Sequence, residues 1–208
     1  LCISAVPFYT FGVFFKQLEQ AFGWSRTQLS SGPFVYLIVL AVASPFVGRI
    51  IDRFGVRLPL AVSMLGLAAS FALLGSAMHS FPAFLAIHAG MAAVGAAASP
   101  LTYTRVVNEW FSTARGLALG LILMGTGVAG ALGPPFVTAV MGSYGWRAGY
   151  FALAAVVLAG MPLVLWLLHG KEDGPGQERT PVALRTDGMS LAAAIRTAVF
   201  WRIGILFL

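Results

Sequence analysis

Long neutral stretches broken by short clusters of charge set the rhythm of this chain. Residues 27–48 hold no Asp, Glu, Lys or Arg and number 22, and residues 58–104 run for 47 without one. A helix rises 1.5 Å per residue, so a hydrocarbon layer about 30 Å thick takes about 20 residues to cross. The first run is therefore one crossing and the second is two. Their turn falls at His79-Ser80-Phe81-Pro82, where proline cannot continue one helix but starts the next well. Residues 116–146 supply a fifth crossing and 148–170 a sixth, parted by the corner Ser143-Tyr144-Gly145-Trp146-Arg147. Leu1 to Phe15 reads as a short, truncated first crossing, and Ile203 to Leu208 as the start of a seventh. The pattern predicts an all-α membrane protein with a six-helix transmembrane bundle over residues 1–170. Residues 171–189, which hold most of the acidic residues and two prolines, read as a cytoplasmic central loop. Residues 190–208 read as an interfacial helix behind Ser190 that leads into the seventh crossing of a second bundle.

Composition narrows the class. Of 208 residues, 59% are hydrophobic and 10% charged, against about 45–50% and about 25% in a soluble domain. A soluble enzyme and a disordered chain are both excluded. The net charge of +6 is scattered between neutral stretches and forms no stripe that could track a nucleic acid. It sorts by side instead. Nine basic residues (Arg49, Arg53, Arg57, Arg115, Lys171, Arg179, Arg185, Arg196 and Arg202) fall on one face of the predicted membrane and three (Lys16, Arg26 and Arg147) on the other. The positive-inside bias places the N-terminus and the central loop in the cytoplasm, in a cell membrane. One cysteine and three histidines offer no disulfide and no zinc spacing, so no metal or cofactor is expected.

The most specific motif is the loop after the second crossing, Gly48-Arg49-Ile50-Ile51-Asp52-Arg53-Phe54-Gly55-Val56-Arg57-Leu58-Pro59. Two helices reverse there in very few residues, so Gly55 is suited to the left-handed conformation and Pro59 to opening a helix. Arg49 and Arg53 are cations at a helix C-terminus, where the dipole favours them, and Asp52 can accept from them or from a neighbouring helix. Gly48, Asp52, Arg53, Gly55 and Arg57 together match the Gly-x-x-x-Asp-Arg-x-Gly-x-Arg pattern between helices two and three of the major facilitator superfamily, which this chain resembles along its whole length. Three further stretches are similar to its monocarboxylate-transporter and oxalate/formate-antiporter branch: Gly12 to Lys16 with Phe22 to Ser30, Trp110-Phe111 with Arg115-Gly116-Leu117-Ala118, and Phe200-Trp201. The resemblance implies the N-terminal half of a twelve-helix carrier, with Asp52, Arg53, Arg57 and Arg115 as gating residues and the C-terminal six-helix bundle as partner. Some monocarboxylate carriers use a lysine in helix one, where this chain has Tyr9.

Small and polar residues inside the spans supply the remaining candidates. Gly116, Gly120, Gly127 and Gly130 share one helical face, which lets two helices approach closely, and Gly133-Pro134-Pro135 is expected to interrupt that helix. Tight packing and a bending or sliding helix are both consistent with this; the resemblance favours movement, because the superfamily has a glycine- and proline-rich motif in helix five. Polar groups in a bilayer are costly and so are functional candidates. Arg105 stands five residues before Trp110, about 8 Å inside the boundary; it snorkels to the headgroups, attracts an anion, or pairs in a gate with Glu109 or Asp52. His88 either carries a proton or is a neutral, hydrogen-bonded packing residue. Tyr9, Thr10, Tyr36 and Tyr103 offer hydroxyl donors to a bound anion, or belong to packing. Phe81, Trp110, Tyr144 and Trp146 read as interfacial anchors.

These features point to a secondary transporter of small organic anions, coupled to a proton or to an exchanged anion. The alternatives are a carrier for another solute, such as a drug or sugar, and a non-transporting receptor or scaffold. No catalytic constellation surrounds His79, His88 or His169, so an enzyme is not expected.

Overall fold

The computed structural model describes residues 5–99, 102–104 and 115–167. Its elements are α1 (Ala5–Phe22), α2 (Arg26–Phe54), α3 (Arg57–Ser76), α4 (Phe81–Gly95), a single 3-10 turn at Ala96–Ala98, and α5 (Arg115–Leu167). α5 turns sharply at Gly145, whose φ of 82° and ψ of 170° leave the helical region, so it consists of two arms, 115–144 and 146–167. Only glycine adopts that backbone without strain. Among the described residues there is no strand, and four stretches are long and apolar enough to cross a membrane: α2, α3, the one that α4 opens, and α5.

The helix ends follow local chemistry. Ser25 precedes α2 in an extended conformation; its hydroxyl accepts from the Gln28 amide at 3.3 Å, while Gln28 Oε1 accepts from the Ser25 amide at 3.0 Å. This reciprocal cap satisfies two amides that the first turn leaves free. Arg26 Nε donates to Glu19 Oε1 at 3.0 Å across the α1–α2 turn. Gly55 closes α2 with φ 74° and donates its amide to Ile51 O at 2.9 Å. That positive φ is the glycine conformation the sequence suggests at this turn. Ser80 caps α4, with Pro82 in the first turn, where a missing amide costs nothing.

Three expectations need correcting. The first helix does not stop at Phe15: α1 continues to Phe22 and carries Lys16 on its exposed side. α2 likewise runs past Gly48 to Phe54, so Asp52 and Arg53 form its last turn. A charge near a helix end need not terminate it, because long side chains reach the interface while the backbone stays hydrogen-bonded. Finally, Pro134 and Pro135 do not interrupt α5. Their missing amides leave the Gly130 and Ala131 carbonyls without helix donors, yet the helical backbone runs on, and Thr138 Oγ1 donates to Pro134 O at 2.8 Å.

α3 lies at the centre, packed on α4 and α5, while α2 packs on α4 and α1 on α5. Leu60, Met64, Leu67, Phe71 and Leu74 on α3 are fully buried and form the spine of the core. Close approach between helices depends on glycines. A Cβ on Gly66 would overlap Val94, one on Gly95 would stand 2.7 Å from Leu67 Cδ2, and one on Gly75 would stand 3.2 Å from the Arg147 carbonyl. Ser63 Oγ donates to Val94 O at 2.6 Å, pinning α3 to α4. Of the glycine stripe on α5, Gly130 receives the Tyr9 ring at 3.3 Å, while Gly116, Gly120 and Gly127 have no neighbour within 4 Å among the described residues.

Candidate functional site

In the half of the bundle that holds the α1–α2 and α3–α4 turns, α1, α2 and α4 converge on His88. Its ring is fully buried. Nδ1 lies 2.8 Å from Phe84 O, and because a carbonyl can only accept, Nδ1 carries the hydrogen and Nε2 is left with its lone pair. Nε2 is buried and makes no hydrogen bond to protein. Phe84 and Phe11 cover the ring faces at centroid distances of 4.3 and 5.1 Å. A Cβ on Gly32 would lie 3.3 Å from His88 Cδ2 and would overlap the Phe84 ring, so α2 packs closely on both.

Tyr36 stands one turn further along that face of α2. It is 2% exposed, its ring meets Phe11 edge-on at 5.9 Å, and its hydroxyl also makes no hydrogen bond to protein. The two orphaned polar groups thus share one aromatic cover, Phe11. An unsatisfied buried polar atom costs roughly 1–3 kcal/mol, so a pair of them held by three helices calls for a chemical reason.

Tyr9 and Thr10 occupy the α1–α5 contact instead. Thr10 Oγ1 donates to Val6 O at 2.7 Å, so its hydroxyl is satisfied within its own helix, and its methyl faces Gly133. Tyr9 rests against Gly130 and is 42% exposed, presenting itself outside the bundle. Tyr103 is half-buried in the short helical piece at 102–104. Arg105 and Trp110 lie outside the described residues, and Arg115 is known only as the first residue of α5. The structure therefore sets Tyr36 and His88 against the same ring, Phe11, with no hydrogen bond between them, and sets Tyr9 and Thr10 at the α1–α5 contact.

The α2–α3 turn sits at the opposite end of the bundle. Asp52 and Arg53 are exposed on the last turn of α2; the Arg49 and Arg53 guanidiniums lie 5.9 and 5.4 Å from the Phe46 and Phe54 rings. Gly48 has no neighbour within 4 Å of where a Cβ would stand.

Sequence reasoning missed the residues that build the surroundings of His88: Phe11, Gly32 and Phe84. It also missed an aromatic network at the same end. Phe22 stacks on Trp24 at 4.5 Å and meets Trp146 at 5.7 Å; Trp24 contacts Phe81 and Phe84; Phe14 stacks on Tyr150 at 3.9 Å. Phe81 and Trp146, expected as interfacial anchors, are members of this network, whereas Tyr144 is 80% exposed. The signal that was available is the density of Phe, Trp and Tyr around the three turns.

Comparison with known proteins gives the context. An uncharacterized MFS-type transporter, YcxA, of Bacillus subtilis is 28% identical over 176 residues, which is 82% of this chain and 42% of that protein. Monocarboxylate transporter 11 of Homo sapiens is 29% identical over 91% of this chain and 40% of its own length. A probable L-galactonate transporter of Escherichia coli is 28% identical over 67% of this chain and 30% of its length. The chain thus spans less than half of these relatives. The family model described as Major Facilitator Superfamily matches residues 1–208 from end to end, and the chain belongs to that family.

Proposed function

We propose that this chain supplies the first half of a secondary carrier for small organic anions, with six crossings, the two arms of α5 being the fifth and sixth. Substrate binds near the midplane against a second six-helix bundle, and rocking of one bundle on the other exposes it to each side in turn. The similarity to monocarboxylate transporter 11 over 91% of the chain is the observation that carries the substrate class. A structural feature agrees with it: the α1 position that presents Tyr9 offers a neutral hydroxyl outward from the bundle, a donor suited to a carboxylate. Arg105 supplies attraction for the anion in this reading, and Thr10, Tyr36, His88 and Tyr103 are further polar candidates.

The test is uptake of labelled lactate, oxalate and galactonate into proteoliposomes holding the full-length carrier. Saturable uptake that unlabelled carboxylates inhibit supports the proposal; transport inhibited by sugars or cationic drugs and indifferent to carboxylates sinks it. The second reading is a drug carrier, favoured by 36% identity over 64% of the chain to the multidrug resistance protein MdtG of Serratia proteamaculans. The same competition experiment separates the two.

In the cell membrane, the α2–α3 turn and the central loop face the cytoplasm in this proposal. Cysteines placed by Arg57→Cys and by Arg26→Cys should then label from outside intact cells only at position 26. Equal labelling at 57 would invert the orientation. The α2–α3 turn acts as a gate through Asp52, Arg53 and Arg57, with Arg115 opposite. Replacing Asp52 by Asn should lower turnover about tenfold, or about 1.4 kcal/mol at the barrier, with less change in KM. Unchanged turnover would leave the turn without a gating role.

A further inference from the structure

Within the proposed anion carrier, and resting on that reading, we infer that Lys16 is the residue that captures the carboxylate as it enters from the outer side. The exposed face of α1 carries this inference. At 3.6 residues per turn, Phe8, Tyr9, Gly12, Lys16 and Gln20 fall within one arc of about 120°. All five are exposed, while Phe11, Phe14 and Leu18 on the opposite arc are buried. The exposed arc thus offers a phenol, an ammonium, an amide and a bare glycine beside a single apolar ring. The exposed faces of α2 and α3 differ: they present Phe34, Val42 and Phe46, and Leu58 and Val62. Acyl chains suit those faces and penalise that of α1, because an ammonium or amide in hydrocarbon has no partner. The α1 face therefore looks onto water, and in a carrier that water is the path of the solute.

Three details distinguish Lys16 from a lysine that only reaches the headgroups. Side chains of a helix tilt toward its N-terminus, so the stem of Lys16 leans over Gly12, one turn further into the bundle. A Cβ on Gly12 would meet nothing within 4 Å among the described residues, which leaves room there for a solute. Second, the carboxylate nearest in the chain is already taken: Glu19 Oε1 accepts from Arg26 Nε at 3.0 Å, and Lys16 makes no ion pair among the described residues. Its charge is left for a mobile partner. Third, Tyr9 stands on the same face about 10 Å deeper, by the helical rise. An anion drawn in by the ammonium thus has a hydroxyl donor next along its path. Lys16 itself lies six residues, or about 9 Å, before the end of α1 at Phe22, in the half of the bundle that faces outward in the proposed orientation. Its effect is accordingly one-sided: it acts on solute arriving from outside and not on solute arriving from the cytoplasm.

The test measures initial rates of labelled lactate uptake by the full-length carrier, into intact cells and into inside-out membrane vesicles, with the amount of carrier matched by immunoblot. Lys16→Gln should raise KM from the outer side about fivefold, the equivalent of about 1 kcal/mol for an exposed charge pair, and leave kcat and the cytoplasmic-side KM unchanged. Lys16→Arg keeps the charge and should keep the wild-type KM. Higher ionic strength should raise the outer KM of wild type but not that of Lys16→Gln, because only wild type has the charge to screen. An outer KM unchanged in Lys16→Gln overturns the inference and leaves the anion-carrier reading standing. A rise of equal size from both sides also overturns it, since the lysine would then serve a site reached from either face. So does a loss of kcat with KM kept, the result expected of a lysine that only packs or anchors the helix. If wild type takes up no carboxylate from either side, the carrier reading itself has failed.

Discussion

Gly66→Ala should destabilise the bundle by about 1–3 kcal/mol, the usual penalty for forcing a methyl into a packed interior. The reason is the rigidity of what it meets. A Cβ at this point of α3 would overlap a Val94 methyl and lie 2.8 Å from Val94 Cβ. Rotating χ1 of valine moves its methyls but not its Cβ, so α4 itself must shift. That shift also moves the Val94 carbonyl, which accepts from Ser63 Oγ at 2.6 Å. Thermal unfolding in detergent, followed by loss of the monodisperse peak, measures the effect. Gly90→Ala on α4 is the control: it meets nothing within 4 Å and should melt like wild type or slightly higher, because alanine favours the helix. Equal melting of the two variants would mean that α3 and α4 are not in van der Waals contact at Val94.

A second large effect is expected from Phe14→Ala, at about 3 kcal/mol, the low end for a Phe→Ala cavity. Phe14 is 1% exposed, stacks on Tyr150 with planes 7° apart, and lies 3.0 Å from where a Cβ on Gly149 would stand. It is the plug between α1 and the second arm of α5. In lipid the loss is one of packing and ring contact rather than of transfer from water, which keeps it from the upper end of the range. Phe34→Ala removes the same atoms from a side chain that is 64% exposed and should change the melting point little. The comparison is made by the same unfolding assay, and similar losses in both variants would argue against the stack as a stabilising contact.

Much of the helix inventory was legible in the neutral runs, because a bilayer crossing has a minimum length and charge marks where it ends. The turns at Ser80-Phe81-Pro82 and Gly145 were legible too, since proline and glycine declare backbone geometry locally. Exact ends were not. Lys16 and Arg49 suggested boundaries, but α1 and α2 continue past them, as a helix in an interface continues wherever its own hydrogen bonds are intact. The Gly133-Pro134-Pro135 break failed because each proline removes one amide from the ladder while the rest of the ladder, which lipid cannot replace, stays intact and carries the helix through. The surroundings of His88 could not be read from its position in the chain. In water an apolar stripe reveals which way a helix faces, whereas here lipid-facing Phe34 and core-facing Tyr36 are both apolar or aromatic, and only the packed helices show which one turns inward.

The aromatic network at the three turns has an optical consequence. Trp24 and Trp146 both touch Phe22, and they come from separate stretches of chain, the α1–α2 turn and the corner of α5. Any cycle that parts those turns must change the polarity around two indoles at once. Stopped-flow emission at their wavelengths, with Trp110, Trp166 and Trp201 replaced, would then time that parting without an added label.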